Sequence, residues 1–515
     1  MDDRWPAAYT CTDCTQQTTA KRENYYFKNS IDEERPLRMT DAQHLLTDEA
    51  IQHFITDGYM LVHTDFNEPV HQRIYDTIED VFEKEGNVGN NILPRVPEIA
   101  RIFAHAKMRG ALTSLLGPDY LLNPHRHCHL NPPGSKGQTW HKDCYVFDHN
   151  MRQPRFHWLL ALYYPQDTSE DMGPTGILPG VQNWETISDN NPAECNETPL
   201  PLTGPAGTVA LVHFDAWHRA MPNLSDKKRY MLKFQFARMQ RPSAPTWNCR
   251  STDWAPDDAH REVSLDVWNW LCGKETTTAS AVGDKTQLLD RLETGNETER
   301  LRAAYTLGSS GTETVEDLLA ALGREALAVE DRVEAKTPDN AHGTNPTALR
   351  AAQALVAAGP GALPQLITAL SDEHWLVRTA IADVLATLGP IAADAVPALS
   401  QCLSDEHWWV RRGAAEALGR IGAAAHPALP ALIETVHDED RRVRRATTLA
   451  LAQLGTYADG LETALCAILN DEDRYNRFHA GTALRRIDHP KTREAVLDAL
   501  FTARWCPITT PENTF

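Results

Sequence analysis

A repeat of 33 residues in the second half of the chain constrains its fold more than any other feature. Within each unit the apolar residues recur at helical spacing, an Asp stands where a helix can begin, and a Gly stands where it can end. Two short antiparallel helices cannot bury a core alone, so the units must stack on one another. Four copies share the form Asp-Glu-x-x-x-x-Arg at this step: Asp372–Arg378, Asp405–Arg411, Asp438–Arg444 and Asp471–Arg477.

The repeated segment resembles the HEAT-repeat family, in the form with Asp-x-x-x-x-Val-Arg between the helices. Weaker copies occur at Leu288–Leu307 and Leu349–Leu355, which predicts about six units over residues 285–505. The resemblance implies an all-α HEAT-repeat solenoid that serves as an interaction module for a protein partner. Trp375, Trp408 and Trp409 recur in these units; they indicate either packing between repeats or an exposed aromatic binding stripe.

The first half of the chain has a different pattern. Residues 1–40 are polar and predict an N-terminal arm, Thr47–Asp57 predicts a helix, and Tyr59–His63 predicts a strand. Short apolar runs separated by Pro, Gly and Asn then indicate a sandwich or jelly roll, with a domain over residues 41–275. The predicted strands are His125–Leu130, Thr139–Phe147, Trp158–Tyr164, Thr208–His213 and Tyr230–Ala237.

The charge and hydropathy of the chain argue against two classes of partner, nucleic acid and membranes. Its 515 residues include 70 acidic and 50 basic side chains, for a net charge of −20. This balance argues against general binding of nucleic acid. We find no apolar run of about 18 residues and no apolar signal core near the N-terminus, so we predict a cytoplasmic protein with no membrane attachment.

A histidine and an acid in the first half have the spacing of metal ligands. His141 and Asp143 would point to the same face of a strand. A histidine from a later strand would complete a facial triad of two His and one carboxylate, which leaves open positions on Fe(II). The short motif is weak alone, because five His-x-Asp/Glu pairs occur: at His63, His141, His213, His260 and His437.

The residues downstream single out His141. His218 lies 77 residues later and can supply the third ligand, and Arg229 opens the predicted strand that follows. A guanidinium offers a forked partner for the far carboxylate of 2-oxoglutarate. Two oxygens of 2-oxoglutarate would fill two iron positions, and O2 the last.

These residues resemble the phytanoyl-CoA dioxygenase-like family of Fe(II)/2-oxoglutarate oxygenases over about residues 45–240. The resemblance also includes Leu46–Tyr59, Leu162–Gln166 and Gly176–Gly180. One departure is visible, since the family commonly has Pro-Gly-Ser-His where this chain has Pro179–Gln182. The resemblance implies a double-stranded β-helix fold, with His141, Asp143 and His218 on iron and Arg229 on the 2-oxoglutarate 5-carboxylate.

Further pocket residues follow from the same resemblance and from their positions in strands. His125, His127 and His129 alternate before the iron segment; they predict a polar lining with His129 on the cosubstrate, or a second metal site. Gln138 is a second expected cosubstrate contact. The expected substrate contacts, which as aromatic residues in strands could equally be core, are Tyr145, Phe147 and Trp158.

We therefore predict a multidomain α and β protein: a double-stranded β-helix (jelly-roll) oxygenase followed by an all-α HEAT-repeat solenoid. Its cofactors are Fe(II), 2-oxoglutarate and O2. The resemblance implies hydroxylation or a related oxidation, because Asp143 fills the position that halogenating relatives leave free for chloride, and we predict a small organic substrate. Two alternatives stay open: a protein or peptide hydroxylase whose HEAT repeats recruit the substrate, and a non-catalytic HEAT scaffold.

Overall fold

A computed structural model describes residues 41–143, 149–187, 198–274, 283–334 and 349–502. The predicted arm over residues 1–40 lies outside this range, and so does most of the predicted boundary between residues 275 and 285. The division into two domains stays a prediction. The described residues form one compact unit.

The first helix and strand form where the sequence predicts them. Helix α1 (Asp48–Asp57) is capped by Thr47, whose Oγ1 accepts from the N–H of Ala50 at 3.4 Å. It ends at Gly58, whose φ of +75° belongs to the left-handed region that favours glycine. Strand β1 (Tyr59–His63) follows directly. The next helices are α2 (Glu68–Glu85), α3 (Ile92–Arg95), α4 (Ile99–Ala104) and α5 (Ala106–Leu116).

Two antiparallel sheets follow these helices among the described residues. The first has the strand order β1-β6-β3-β8-β2, and the second the order β5-β4-β7. Every residue of β3, β6 and β8 is buried, so these central strands form the core of the larger sheet. The strands are β2 (Tyr120–Asn131), β3 (Trp158–Tyr163), β4 (Thr175–Ile177), β5 (Leu200–Pro201), β6 (Thr208–His213), β7 (His218–Ala220) and β8 (Arg229–Arg238).

The predicted strand Thr139–Phe147 is wrong over its described part. Residues 139–143 form no strand; they contribute one isolated bridge, between His141 and His218, and residues 144–148 lie outside the described range. The other predicted strands are present. Strand β2 is longer than predicted, and its register with β8 shifts between Leu122 and Arg126, where Pro124 has no N–H to donate to a ladder.

The C-terminal half is helical, as predicted. After α6 (Arg261–Leu271), the described residues form six antiparallel pairs and a last helix, α19 (Pro490–Thr502). The second helices of consecutive pairs pack against one another in chain order. The pairs are α7 (Lys285–Thr294) with α8 (Glu297–Gly308), α9 (Val315–Glu334) with α10 (Arg350–Ala358), α11 (Leu363–Ala369) with α12 (Trp375–Leu388), α13 (Val396–Cys402) with α14 (Trp408–Ile421), α15 (Leu429–Thr435) with α16 (Arg441–Leu454), and α17 (Leu461–Ile468) with α18 (Arg474–Ile487).

The spacing of Asp and Arg that recurs in each repeat has a structural cause. The guanidinium of Arg378 donates from Nε and Nη2 to both carboxylate oxygens of Asp405, at 2.8 and 2.9 Å, and from Nη1 to the carbonyl of Asp372 at 2.9 Å. The fork therefore ties each repeat to the next. The same pattern recurs at Arg411 with Asp438 and at Arg444 with Asp471.

The recurring tryptophans pack between repeats. Trp375 stacks on His407 at 3.8 Å between ring centroids, and Trp408 stacks on Trp409 at 4.3 Å. The guanidinium of Arg442 lies 3.3 Å from the centre of the Trp408 ring, and Trp409 is buried. These contacts favour the packing interpretation over an exposed stripe.

One helical stretch, Trp375–Cys402, is long and apolar enough by length and composition to cross a membrane, although we predict no such run. It comprises α12, α13 and the turn between them, and 83% of its most apolar window is buried inside the protein. A buried repeat helix passes the same test as a membrane span, so this stretch is weak evidence for one.

Candidate metal centre and cosubstrate cavity

The structure brings the three predicted metal ligands together. His141 and His218 exchange two backbone hydrogen bonds, each 3.0 Å from nitrogen to oxygen, which aligns their side chains although the residues are far apart in sequence. Asp143 reaches the same point from two residues along the chain. One ligand atom from each of these side chains lies within 4.8 Å of the other two.

Both imidazoles are oriented by their second nitrogen. The Nδ1 of His141 lies 2.9 Å from the carbonyl oxygen of Thr139, and the Nδ1 of His218 lies 3.0 Å from the carbonyl oxygen of Ala216. A carbonyl can only accept, so each Nδ1 carries the proton and each Nε2 keeps a lone pair. This is the tautomer that a metal ligand through Nε2 requires.

The third ligand is held by a lysine that we did not predict. The ammonium of Lys233 donates to both carboxylate oxygens of Asp143, each at 2.8 Å, and both residues are buried. Burial alone would raise the pKa of Asp143, but the charge of Lys233 holds it well below its usual range. Asp143 is therefore an anion in the folded protein.

Burial also keeps His218 neutral. It lowers the pKa of His218 to about 4, although Asp143 opposes the shift with its Oδ1 only 3.7 Å from Nε2. At neutral pH the site thus combines a neutral imidazole with a carboxylate, which is the ionisation state of a metal-binding pair.

Arg229 is fixed at the start of β8. It is 1% exposed, and its Nε and Nη2 donate to the carbonyl of Gly173 at 2.9 and 2.7 Å. Only glycine fits at position 173, because φ is +66° and a Cβ atom would lie 2.4 Å from the side chain of Asn131. The close turn at Gly173 thus orients the guanidinium.

A cavity of about 220 Å³ connects these groups. His129 and Gln138, both predicted cosubstrate contacts, lie on its wall with Arg229 and Lys233. The buried Nε2 of His129 has no hydrogen-bond partner among the described residues, and burial lowers the pKa of His129 to about 2. The cavity wall therefore carries a buried polar atom that a ligand could satisfy. The lining residues are His129, Leu130, Asn131, Ser135, Gly137, Gln138, His141, Leu162, Thr175, His218, Ala220, Arg229, Met231 and Lys233.

The predicted substrate contacts are placed less directly. Trp158 is buried and pairs with Ala237, near the end of β8 that lies away from Arg229. Its ring centroid lies 5.5 Å from that of His149. It does not line the cavity described above, so its substrate role stays a prediction. Tyr145 and Phe147 lie outside the described residues.

The other two histidines that alternate with His129 are not arranged as a second metal site. The Nδ1 of His125 lies 2.9 Å from the hydroxyl of Tyr475 on helix α18, and the ring of His127 packs edge-on against His129 at 4.5 Å. Among the described residues, the one cluster of suitable ligands is that of His141, Asp143 and His218.

Two further residues were missed, although each had a signal in the sequence. Lys233 is a charged residue in the interior of a mostly apolar strand, at even spacing from Arg229, so both share one face of β8. Asp215 belongs to one of the His-x-Asp pairs that we set aside as chance. It forms ion pairs with Lys142, at 3.0 Å, and with Arg152, and so frames the segment that carries His141 and Asp143.

The departure from the family pattern at Gln182 has a structural role. Its side-chain Nε2 donates to the main-chain carbonyls of Ile55 and Thr56 at 2.9 and 3.2 Å, and its main-chain carbonyl accepts from Lys142 at 2.9 Å. Gln182 therefore joins the end of α1 to the metal-ligand segment.

Comparison with known proteins agrees with this arrangement. Residues 41–231 match the family model described as Phytanoyl-CoA dioxygenase (PhyH), and residues 363–452 match that of HEAT repeats. Both resemblances noted in the sequence are thereby confirmed, and they support an oxygenase segment joined to HEAT repeats. No curated protein matches the chain.

Several solved structures are similar to part of the chain. They include the α-ketoglutarate-dependent carbocyclase SnoK from nogalamycin biosynthesis, at 18% identity and a TM-score of 0.33, covering 38% of this chain and 86% of SnoK. EctD from S. alaskensis is 16% identical at a TM-score of 0.34, over 40% and 82% of the two chains. HygX from Streptomyces hygroscopicus, with nickel and 2-oxoglutarate bound, is 15% identical at a TM-score of 0.32, covering 38% of this chain and 87% of HygX.

Proposed function

We propose that this protein is an Fe(II)/2-oxoglutarate-dependent dioxygenase that hydroxylates a small organic substrate and releases succinate and CO2. The observation that carries the proposal is the convergence of His141, Asp143 and His218, with both Nε2 lone pairs and a carboxylate at one point. The two sheets would then be the halves of a double-stranded β-helix, and the helix pairs would form a HEAT solenoid.

The donor set fits Fe(II). Two imidazoles and one carboxylate match the facial triad of non-haem iron oxygenases, which leaves positions for a cosubstrate and O2. The main-chain carbonyls of Thr139 and Ala216 already place the proton of each imidazole on Nδ1. A metal can therefore bind through Nε2 without a change of tautomer. Bound iron would supply the activation of O2, with 2-oxoglutarate as the source of two electrons.

The cavity fits a dicarboxylate. Arg229 presents a buried guanidinium whose hydrogen bonds to Gly173 use Nε and Nη2, which leaves Nη1 for a ligand oxygen. Burial strengthens the attraction between this guanidinium and a ligand carboxylate, because water does not screen the two charges. We propose that Arg229 holds the 5-carboxylate of 2-oxoglutarate, that His129 donates or accepts a hydrogen bond through Nε2, and that Gln138 lies at the cavity rim.

Lys233 has two roles in this proposal. Without a metal it neutralises Asp143, which would otherwise be a buried unpaired anion. When a metal takes one oxygen of Asp143, the ammonium remains on the cavity wall and can pair with an anionic ligand. The positive charges of Lys233 and Arg229 would thus both attract 2-oxoglutarate.

The test is succinate formation by the full-length protein, loaded with Fe(II) and given 2-oxoglutarate and air. We expect slow succinate release without substrate and faster release with a metabolite mixture that contains the substrate. His218→Ala should lower both rates at least about 100-fold, because it removes one ligand of three. His437→Ala, which alters an exposed histidine of another His-x-acid pair, should leave both unchanged. Full activity of His218→Ala, or no succinate from the unaltered protein with any mixture, would contradict the proposal; the second result would favour a scaffold.

A further inference from the structure

The segment that follows the metal ligands is enclosed by the HEAT helices. Residues 149–157 directly precede strand β3 and come shortly after Asp143 in the sequence, and all of them except Arg152 are buried. Their neighbours include helices α12 and α14, more than 200 positions later in the chain. The repeats thus contact a part of the oxygenase segment that adjoins the candidate metal centre.

Asn150 makes the central contacts. Its backbone N–H donates to Glu416 at 3.0 Å, and its side-chain amide donates to the carbonyl of Asp383 at 2.8 Å and to the hydroxyl of Thr387 at 3.1 Å. Its main-chain carbonyl accepts from Arg420 at 3.1 Å. Four hydrogen bonds to two repeat helices therefore fix one residue of the oxygenase segment.

The surface that receives Asn150 is itself tightly connected. Arg412 forms ion pairs with Asp383 at 2.9 Å and with Glu416 at 2.8 Å, and all three side chains are buried. Buried charges persist only with complete sets of partners, so these helices present the hydrogen-bonding groups in a fixed arrangement. Asn150 supplies one of the hydrogen bonds that Glu416 needs.

Arg152 carries this restraint to the metal centre. Its Nη2 donates to the main-chain carbonyl of Asp143 at 2.9 Å, and its Nη1 pairs with Asp215. Its own carbonyl accepts from Gln353 on α10 at 3.4 Å. The repeats therefore hold both Asn150 and Arg152, and Arg152 holds the backbone of a metal ligand.

We propose that the HEAT repeats are a positioning element of the metal site: α12 and α14 fix Asn150, which keeps Arg152 on the carbonyl of Asp143. Metal affinity then depends on Asn150 and Thr387, neither of which is a ligand. The inference rests on the proposed metal site. It assigns the repeats a role within the enzyme, in addition to any role as an interaction module.

The experiment measures Co²⁺ binding to metal-free full-length protein by visible absorption, together with the thermal midpoint of each variant. Asn150→Ala should release Arg152 from the carbonyl of Asp143. Losing such an outer partner of a metal ligand usually weakens metal binding about tenfold or more, so Co²⁺ binding should weaken by about that factor and the absorption band should change. Thr387→Val removes a single hydrogen bond to Asn150 and should weaken binding about two- to fivefold. It also serves if Asn150→Ala does not fold.

Arg486→Ala is the matched control. Arg486 on α18 joins the repeats to Asp119 through two hydrogen bonds of 2.6 Å. Within the part of the chain that the structure describes, it forms no hydrogen bond with residues 139–143 or 149–157. It should lower the thermal midpoint but leave Co²⁺ affinity within about twofold. Unchanged affinity and absorption in Asn150→Ala and Thr387→Val, or equal weakening in Arg486→Ala, would overturn the inference. Failure of the unaltered protein to bind Co²⁺ would instead reject the metal site itself.

Discussion

Replacing Lys233 by Met tests the electrostatics of the metal centre without changing a metal ligand. Its ammonium lies 2.8 Å from both oxygens of Asp143, and the two side chains are 4% and 2% exposed. Methionine has a similar length but no charge, so the variant leaves Asp143 buried without its cation. The perturbation is therefore an unpaired carboxylate rather than a cavity.

Removing one partner of a buried ion pair costs about 3–5 kcal/mol of unfolding free energy. A bound divalent cation restores a positive partner to Asp143, so the loss should be far smaller in the metal-loaded protein. The matched control is Lys228→Met, since Lys228 pairs with Glu79 at the same distance of 2.8 Å, but the two side chains are 48% and 31% exposed. Loss of an exposed pair costs about 0–1 kcal/mol.

The assay is urea unfolding followed by circular dichroism, with and without saturating Co²⁺. We expect Lys233→Met to lose about 3 kcal/mol or more without metal and less than half of that with metal, and Lys228→Met to lose below about 1 kcal/mol in both states. If Lys233→Met is as stable as the unaltered protein without metal, or if its loss is the same with metal, the reasoning about this pair is refuted.

Three further predictions concern the cavity, the buried histidines and the repeats. Arg229→Ala should raise the Kd of 2-oxoglutarate at least about tenfold in calorimetry of the Co²⁺-loaded protein, because the charged donor for the 5-carboxylate is lost; unchanged affinity would exclude Arg229 as that donor. Burial lowers the pKa of His479 to about 3, so the unfolded chain takes the proton first, and stability should fall as the pH falls from about 6.5 towards 4, by up to about 1.4 kcal/mol per pH unit. His479→Leu should flatten this slope in unfolding measured at several pH values, and an unaltered slope would disprove the assignment. Arg411→Ala removes the fork to Asp438 and should cost about 2 kcal/mol in unfolding free energy; a loss below about 0.5 kcal/mol would show that the fork contributes little.

The helical half could be predicted in detail because its signals are local and repeated. Each unit carries its own apolar spacing and its own terminal glycine, so α14 and α16 end at a glycine as the sequence indicates. The cap is not the first Asp of the unit: His407 and Asp440 cap these helices, and Asp405 and Asp438 instead accept from the arginine of the preceding repeat. The metal ligands were also predictable, since the residue types and their order match a known donor set. Their approach depends on a bridge between His141 and His218, which the resemblance implies and local propensity does not.

The contacts that were missed are long-range ones. The strand predicted over Thr139–Phe147 does not form over residues 139–143, because this segment pairs with β7 at only one residue, His141. The role of Lys233 in a mostly apolar strand becomes clear only from its contact with Asp143, which lies 90 residues earlier in the chain. The bonds of Asn150 join positions that are 233 to 270 residues apart, and no local pattern announces such a pairing.

The central claim is that His141, Asp143 and His218 bind one metal ion beside Arg229, and a crystal structure of the full-length protein with Mn²⁺ and 2-oxoglutarate tests it most directly. The account predicts one anomalous peak about 2.0–2.3 Å from Nε2 of both histidines and from an Asp143 oxygen, with a carboxylate of 2-oxoglutarate on the Arg229 guanidinium. A metal bound elsewhere, or 2-oxoglutarate bound away from Arg229, would contradict it.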